Sequence, residues 1–221
     1  MIGIIIAMDK ELEPFLGGNS LRKKTKDGLD FYLGKICAKK CVIVNSGIGK
    51  VNAAYATLSL IKNYKPGEII SIGVSGGLGK SNVLDIVVSA SCVQYDVDTS
   101  ALGDEIGFVS TVNKIYFDCD RRLVDDLVKC SNAKKGVFAC GDRFVADEKT
   151  RDFIVNSFDA ISCDMESGAI AQVCFRANVP FAALRCISDG AGENAAMSYE
   201  EVVCEASAKL YATLVRYLSR N

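Results

Sequence analysis

Carboxylates set at the edges of apolar segments are the residues of this 221-residue chain best suited to chemistry. Cys163-Asp164-Met165-Glu166-Ser167-Gly168 and Arg185-Cys186-Ile187-Ser188-Asp189-Gly190 each place acids beside a strongly apolar run, and Asp9, Glu11 and Glu13 follow the first such run. The chain has no His, so acid–base work near neutral pH falls to carboxylates, Lys, Cys or Tyr. Separated carboxylates at strand ends suit hydrolysis through a cationic transition state, as in glycosidic cleavage. Plainer readings stand beside this one. Glu166 also fits a helix N-terminus, where the macrodipole favours an acid, and Asp189 fits a loop cap. Arg185 is harder to explain plainly, because an Arg in an apolar strand needs a partner carboxylate. Its even spacing from Asp189 lets the two face the same side of an extended strand.

Strands and helices alternate around these acids. Residues 2–7 form a continuous apolar run, as in a strand buried on both faces. A short helix over 9–16 follows, with Pro14 inside it or at its end. Residues 31–33 and 41–45 read as a strand pair around a turn near Lys39-Lys40. Val51, Ala54, Tyr55, Leu58 and Ile61 fall at helical spacing and predict a helix over 48–63, stopped by Tyr64-Lys65-Pro66-Gly67. Strands follow at 68–74 and 85–95. The polar stretch 96–114 has no clear period, and a loop of that length is usually functional or disordered. Helices at 120–130, 147–156 and 166–177 are interleaved with strands at 136–140, 160–163 and 180–188. Ser198-Tyr199-Glu200-Glu201 is a capping-box pattern opening the last helix, whose apolar face is Val203, Ala206, Leu210, Leu214 and Tyr217. The order predicts a single α/β domain over 1–221, a three-layer α/β/α sandwich with a central mixed, mostly parallel twisted sheet. Such sheets bind ligands beyond the carboxyl ends of their strands, which selects the segments after residues 7, 45, 74, 140, 163 and 188.

Composition excludes several other classes. With a net charge of −1, the chain is not expected to bind nucleic acid nonspecifically or to lie on a membrane. Its apolar runs are too short to span a bilayer, and Met1 leads into a strand with no basic segment resembling a signal peptide. The ten cysteines include no CxxC pair. With no His present, a zinc site is not expected. Cys92, Cys140, Cys174 and Cys186 sit in apolar segments, where a free thiol behaves as a small hydrophobe, and a reducing cytoplasm follows.

Two glycine-rich turns and one aromatic complete the candidates. Ser46-Gly47-Ile48-Gly49-Lys50 is not a P-loop, because the earlier Gly is missing and Val51 replaces the magnesium-binding Ser or Thr. It reads as a glycine turn before a helix that lets backbone approach a small ligand. Gly73-Val74-Ser75-Gly76-Gly77 is a second strand end, equally readable as a plain turn or a binding turn. Phe144, after Gly141-Asp142-Arg143, reads first as core, with stacking on a base as the functional alternative.

Taken together, residues 3–11 (GIIIAMDKE), 46–50 (SGIGK), 73–78 (GVSGGL), 96–103 (DVDTSALG), 141–145 (GDRFV), 165–171 (MESGAIA), 178–181 (NVPF) and 185–189 (RCISD) resemble, nearly end to end, the 5′-methylthioadenosine/S-adenosylhomocysteine nucleosidases of the purine nucleoside phosphorylase-like superfamily. The resemblance implies cleavage of an N9–C1′ bond through an oxocarbenium-like sugar, with no metal or organic cofactor. It implies Asp189 as the acid that protonates adenine N7, which requires a carboxyl kept protonated by burial. Glu11 would deprotonate the attacking water, with Asp9 and Glu13 as rivals in the same segment, and Arg185 and the Val74–Gly76 turn would border that water. Glu166 would hold the ribose hydroxyls, with Met165 packed on the sugar. Phe144 would stack on adenine, the Val145 backbone would read its edge, and Ser188 would support Asp189. Met8, Ile48 and Tyr199 would line an apolar pocket for the 5′-alkylthio group. Leu102, from a partner subunit, would cover that pocket in a homodimer whose interface includes 96–114.

Three positions depart from the family pattern. Val74 replaces a Ser frequent there, Leu102 an aromatic, and Tyr199 a common Phe. A phosphorylase of the same fold is the nearest rival. Hexameric phosphorylases carry Gly-Asp-Pro-x-Arg after the first strand, whereas Ala7-Met8-Asp9-Lys10-Glu11 here places carboxylates that repel phosphate. A futalosine-type nucleosidase is a second rival. A nucleoside-binding module without activity is a third, and it would have no need of Glu11 and Asp189.

Overall fold

The computed structural model describes residues 1–192 and 195–220, without the side chains of 195–198, 200 and 201. Among the described residues ten strands form one mixed sheet: β1 (Ile2–Ile6), β2 (Arg22–Lys26), β3 (Leu29–Ile36), β4 (Lys39–Asn45), β5 (Glu68–Gly77), β6 (Ile86–Gln94), β7 (Tyr116–Asp118), β8 (Lys134–Cys140), β9 (Ser162–Asp164) and β10 (Phe181–Asp189). Parallel pairing runs through β4-β1-β5-β10 and again through β6-β8-β9. Antiparallel pairs join β10 to β6 and the end of β5 to β9. The mixed, mostly parallel sheet expected from the sequence is present, and strands β5, β10, β6, β8 and β9 close into a ring within it.

Helices cover both faces. On one face α1 (Asp9–Leu16), α3 (Arg121–Ser131) and α6 (Ala195–Leu218) bury Leu12, Phe15, Leu123, Leu127, Leu210 and Leu214 against Ile4, Ile6, Ile70 and Leu184. On the other, α2 (Lys50–Tyr64) and α5 (Ser167–Ala177) bury Ala53, Ala56, Leu60, Ile170 and Cys174 against Ile5, Val44, Ile69 and Ala183. A smaller core beneath α4 (Glu148–Phe158) holds Ile154, Phe158, Val93 and Ala139. The alternation of inward side chains along β1 and β10, one to each face, is what a strand buried on both sides requires.

Several local expectations are corrected. The β3–β4 turn lies at Cys37-Ala38, both with positive φ (48° and 66°), and Lys39-Lys40 already belong to β4. A two-residue hairpin needs that conformation at both positions, and neither residue is one whose type announces it. Strand β2 was not expected. Its sequence, RKKTK, is exposed throughout, and a charged edge strand carries no apolar alternation. The stretch 96–114 is an ordered loop with two single 3-10 turns, Ser100–Leu102 and Ser110–Val112. Helix α6 begins at Ala195, upstream of the expected cap. Ser198, Glu200 and Glu201 of that pattern lie outside the described side chains. In α2 the apolar stripe is split: Val51, Tyr55 and Leu58 are exposed, Ala54 and Ile61 are partly buried against the core, and the small residues Ala53, Ala56 and Thr57 are fully buried.

All ten thiols are free, and Cys92, Cys140, Cys174 and Cys186 are buried as expected. Among the described residues no helix is long and apolar enough to cross a membrane, and no group of acidic or Cys side chains is placed to hold a metal ion.

Candidate active site

The carboxyl ends of β1, β4, β5, β8, β9 and β10 converge on one cavity of about 400 Å³. It is lined by Met8, Glu11, Ile48, Val74, Gly76, Phe144, Val145, Met165, Glu166, Arg185, Ser188, Asp189 and Tyr199, which is every site residue expected from the sequence except Leu102. Leu102 sits on the 96–114 loop, 84% exposed. Ser71, Ser75 and Asp164 also line the cavity.

Glu11 is held by the helix that carries it. Met8 precedes α1, and Glu11 Oε2 accepts from the Met8 N–H at 3.2 Å, the return half of a capping box. Its Oε1 accepts from the Val74 N–H at 2.7 Å, across to the end of β5. That reach depends on Gly73, where an added Cβ would meet Glu11 Oε1 at 2.7 Å. Glu11 is 3% exposed, whereas Asp9 and Glu13 are exposed. Burial pushes the Glu11 carboxyl up to about 7, against the pull of the Val74 N–H, the Arg185 charge and the Met8 N–H.

Glu166 stands at the N-cap of α5, as a helix-terminal acid would. Its side chain turns away from that helix. Oε1 accepts from the Gly49 N–H at 2.9 Å. Gly49 has φ of +95°, a conformation that favours glycine. The turn 46–50 thus presents backbone to the cavity as expected, and the ligand it meets in the protein itself is a carboxylate. Burial first, then the charge of Asp164, pushes Glu166 up to about 7.

The end of β10 holds the other acid. Its register against β5 slips by one residue between Ile187 and Asp189, so the expected alternation from Arg185 is interrupted. Ser188 and Asp189, though consecutive, both line the cavity. The Ser188 hydroxyl donates to Asp189 Oδ2 at 2.8 Å, and the Ala191 N–H donates to Oδ1 at 2.8 Å. Burial nevertheless raises the Asp189 carboxyl above its usual range. Arg185 does find a buried carboxylate, and it is Asp164: Nη2 and Nε lie 2.8 and 3.0 Å from Oδ2.

The mouth is apolar. Phe144 and Tyr199 meet edge to face at 6.1 Å, and the Tyr199 hydroxyl donates to Met8 Sδ at 3.1 Å. Two acids not singled out in the sequence tie the surrounding loops together. Asp96 accepts from Lys50 Nζ at 2.6 Å and from the Asp142 N–H at 2.9 Å, and Asp142 accepts from the Lys50 N–H at 2.7 Å. Only the joint presence of Lys50, Asp96 and Asp142 in the family-like segments marked them.

A mixed sheet whose strand ends gather buried carboxylates around an apolar slot defines the class: residues 1–219 match the model of the phosphorylase superfamily. A 5′-methylthioadenosine/S-adenosylhomocysteine nucleosidase of Halalkalibacterium halodurans is 39% identical, over 93% of this chain and 92% of its own. The structure of an MTAN mutant from Helicobacter pylori with 5′-methylthioadenosine in the active site superposes with a TM-score of 0.93 at 32% identity, over 98% of this chain and 96% of that one. A futalosine hydrolase of Helicobacter pylori superposes equally, with a TM-score of 0.93 at 31% identity over 98% and 96%. The chain belongs to the phosphorylase superfamily and, within it, to the 5′-methylthioadenosine/S-adenosylhomocysteine nucleosidase family.

The geometry has a consequence for stability. A carboxyl raised from 4.5 to about 7 on folding favours the folded state below its unfolded value. That contribution is lost as pH rises through the folded value, roughly 3 kcal/mol in all. Glu11→Gln removes the charge and keeps an acceptor for the Val74 N–H. It should therefore stabilise the protein at pH 8 by about 1–3 kcal/mol and change little at pH 4.5. Urea denaturation at the two pH values measures this, and equal effects at both would contradict the assignment.

Proposed function

We propose that residues 1–221 work as one N-glycosyl hydrolase domain that cleaves 5′-methylthioadenosine and S-adenosylhomocysteine, and 5′-deoxyadenosine by the same chemistry, to adenine and the free sugar. The observation that carries this is the placing of Glu11, Glu166 and Asp189 around one buried cavity with an apolar mouth. Adenine stacks on Phe144 and meets the backbone of Val145. Glu166 accepts from the ribose 2′- and 3′-hydroxyls, beneath a sugar face packed on Met165. The 5′ group lies among Met8, Ile48 and Tyr199, with Leu102 of a second copy above it. Tyr199 sets its hydroxyl beside Met8 in that slot, giving the 5′ pocket a polar point where a Phe would have none.

As the N9–C1′ bond breaks, its electron pair passes to adenine and Asp189 donates a proton to N7. Water adds to C1′ and gives its proton to Glu11, with Arg185, Val74 and Gly76 bordering the water. Protons then exchange with solvent to restore Asp189. A carboxyl near 7 is a competent base at neutral pH, and burial raises the Asp189 carboxyl in the direction an acid needs. Phosphorolysis is disfavoured because the buried guanidinium is already paired with Asp164 and the surrounding carboxylates repel phosphate.

Several properties follow from the same reading. The exposed stripe Val51, Tyr55 and Leu58 on α2, with Leu102 on the loop clamped to that helix by Lys50–Asp96, supports a two-fold homodimer through this face. The free thiols suit a reducing cytoplasm, where the activity would serve methionine salvage. No metal, organic cofactor, nucleic acid or membrane enters the scheme.

Pure protein incubated with 5′-methylthioadenosine should release adenine and free 5-methylthioribose at a rate independent of phosphate. A phosphate-dependent ribose 1-phosphate would overturn hydrolysis, and cleavage of futalosine alone would move the substrate. Asp189→Asn and Glu11→Gln should each lower kcat at least 100-fold, and the exposed Glu13→Gln less than about threefold. The reverse order of Glu11 and Glu13 would reassign the base. The acidic limb of kcat/KM should fall near pH 7, where Glu11 and Glu166 gain protons. Sedimentation should give a dimer that Val51→Arg dissociates with loss of activity; a fully active monomer would exclude the shared 5′ pocket.

A further inference from the structure

Four charged side chains share the floor of the cavity: Glu11, Asp164, Glu166 and Arg185, each less than 9% exposed. Among the described residues, Asp164 is the carboxylate that pairs with Arg185, through Oδ2. The other Asp164 oxygen, Oδ1, accepts from the N–H groups of Glu166 at 3.3 Å and Ser167 at 3.1 Å, and from the Ser167 hydroxyl at 2.8 Å. The guanidinium also donates to Ser71 Oγ at 3.0 Å and to the Leu184 carbonyl at 3.2 Å. Glu11 and Glu166 are left with neutral backbone donors: Met8 and Val74 for one, Gly49 for the other. Arg185 sits opposite Gly73 in the sheet, the residue over which the Glu11 carboxylate lies.

We propose that Asp164 is a positioning residue for the reaction, resting on the functional reading above: with one oxygen it occupies the Arg185 guanidinium, with the other it fixes the first turn of α5. Glu11 thereby stays a base, and Glu166 a ribose acceptor, without a full counter-ion. An uncompensated guanidinium in a water-poor cavity would hold both carboxylates ionised, and a carboxylate that firmly holds its charge is a poor base. Both glutamates are in fact pushed up by burial against the pull of Arg185. The thiols facing the cluster add no charge at neutral pH. Burial pushes up the thiols of Cys92 on β6, Cys140 on β8 and Cys163 on β9, and β5 contributes the Ser71 hydroxyl.

Asp164→Asn keeps the shape and the acceptor for α5 and removes the charge. The carboxyl midpoints of Glu11 and Glu166, read by carbon-13 NMR of glutamate-labelled protein and assigned with Glu11→Gln and Glu166→Gln, should each fall by about one pH unit. The acidic limb of kcat/KM should move the same way, and kcat should drop about tenfold or more with a smaller change in KM. Asp164→Glu, which keeps the charge, should restore the midpoints. A purely structural residue would lower activity and leave the midpoints in place, so unchanged midpoints in folded Asp164→Asn would overturn the proposal. Because breaking a buried pair can unfold a protein, the double variant Asp164→Asn with Arg185→Met is the second arm. Its Glu11 midpoint should lie at or above that of the wild type, and a lower one would overturn the proposal. The NMR midpoints need no turnover, so failure of the wild type to release adenine would defeat the functional reading, whereas unchanged midpoints in an active wild-type background would defeat the role of Asp164 alone.

Discussion

Arg185 is a buried cation in a cavity that also holds Glu11, Asp164, Glu166 and Asp189, and much of the local structure follows from that imbalance. Burying an ion costs several kcal/mol unless partners replace its water. Asp164 meets the guanidinium directly. The remaining acids are held by N–H groups at strand ends and helix starts: Val74 and Met8 for Glu11, Gly49 for Glu166, Ala191 for Asp189. Such donors soften the cost of burial and do not remove it, so the three carboxyls stay above their ordinary values.

The backbone features that look irregular serve this arrangement. Gly73 lacks the side chain that would collide with Glu11, and Gly49 adopts a positive φ while its N–H reaches Glu166. The register slip in β10 turns Ser188 and Asp189 together into the cavity. Each is a local cost of the kind found at functional sites, offset by the rigid sheet beneath, whose apolar strands are covered on both faces. The loops above are tied to one another by Asp96, Lys50 and Asp142. This leaves the cavity mouth to the apolar side chains of Ile48, Phe144 and Tyr199.

Long apolar runs made the inner strands legible in the sequence: β1, β5 and β10 announce themselves by composition. Site residues that resemble a family segment also emerged, and Glu11, Glu166 and Asp189 do meet in one cavity. What escaped has physical reasons. Strand β2 is all polar because one edge faces solvent. The periodic residues of α2 predict a helix, and periodicity does not say which way its face points. The spacing along β10 points Arg185 toward Asp189, and its partner is Asp164 on β9, one strand beyond β5 in the sheet ring. Alternation cannot reveal a contact made by closure of non-adjacent strands, nor a one-residue slip.

Glu11 and Asp189 must flank a single glycosidic bond if the cavity works as described. A crystal structure with bound 5′-methylthiotubercidin tests this most directly. The account predicts the base against Phe144 with its imidazole edge toward Asp189, the ribose hydroxyls on Glu166, and a water between Glu11 and C1′. A nucleoside bound with its hydroxyls away from Glu166, or with Glu11 on the same side of the bond as Asp189, would contradict it.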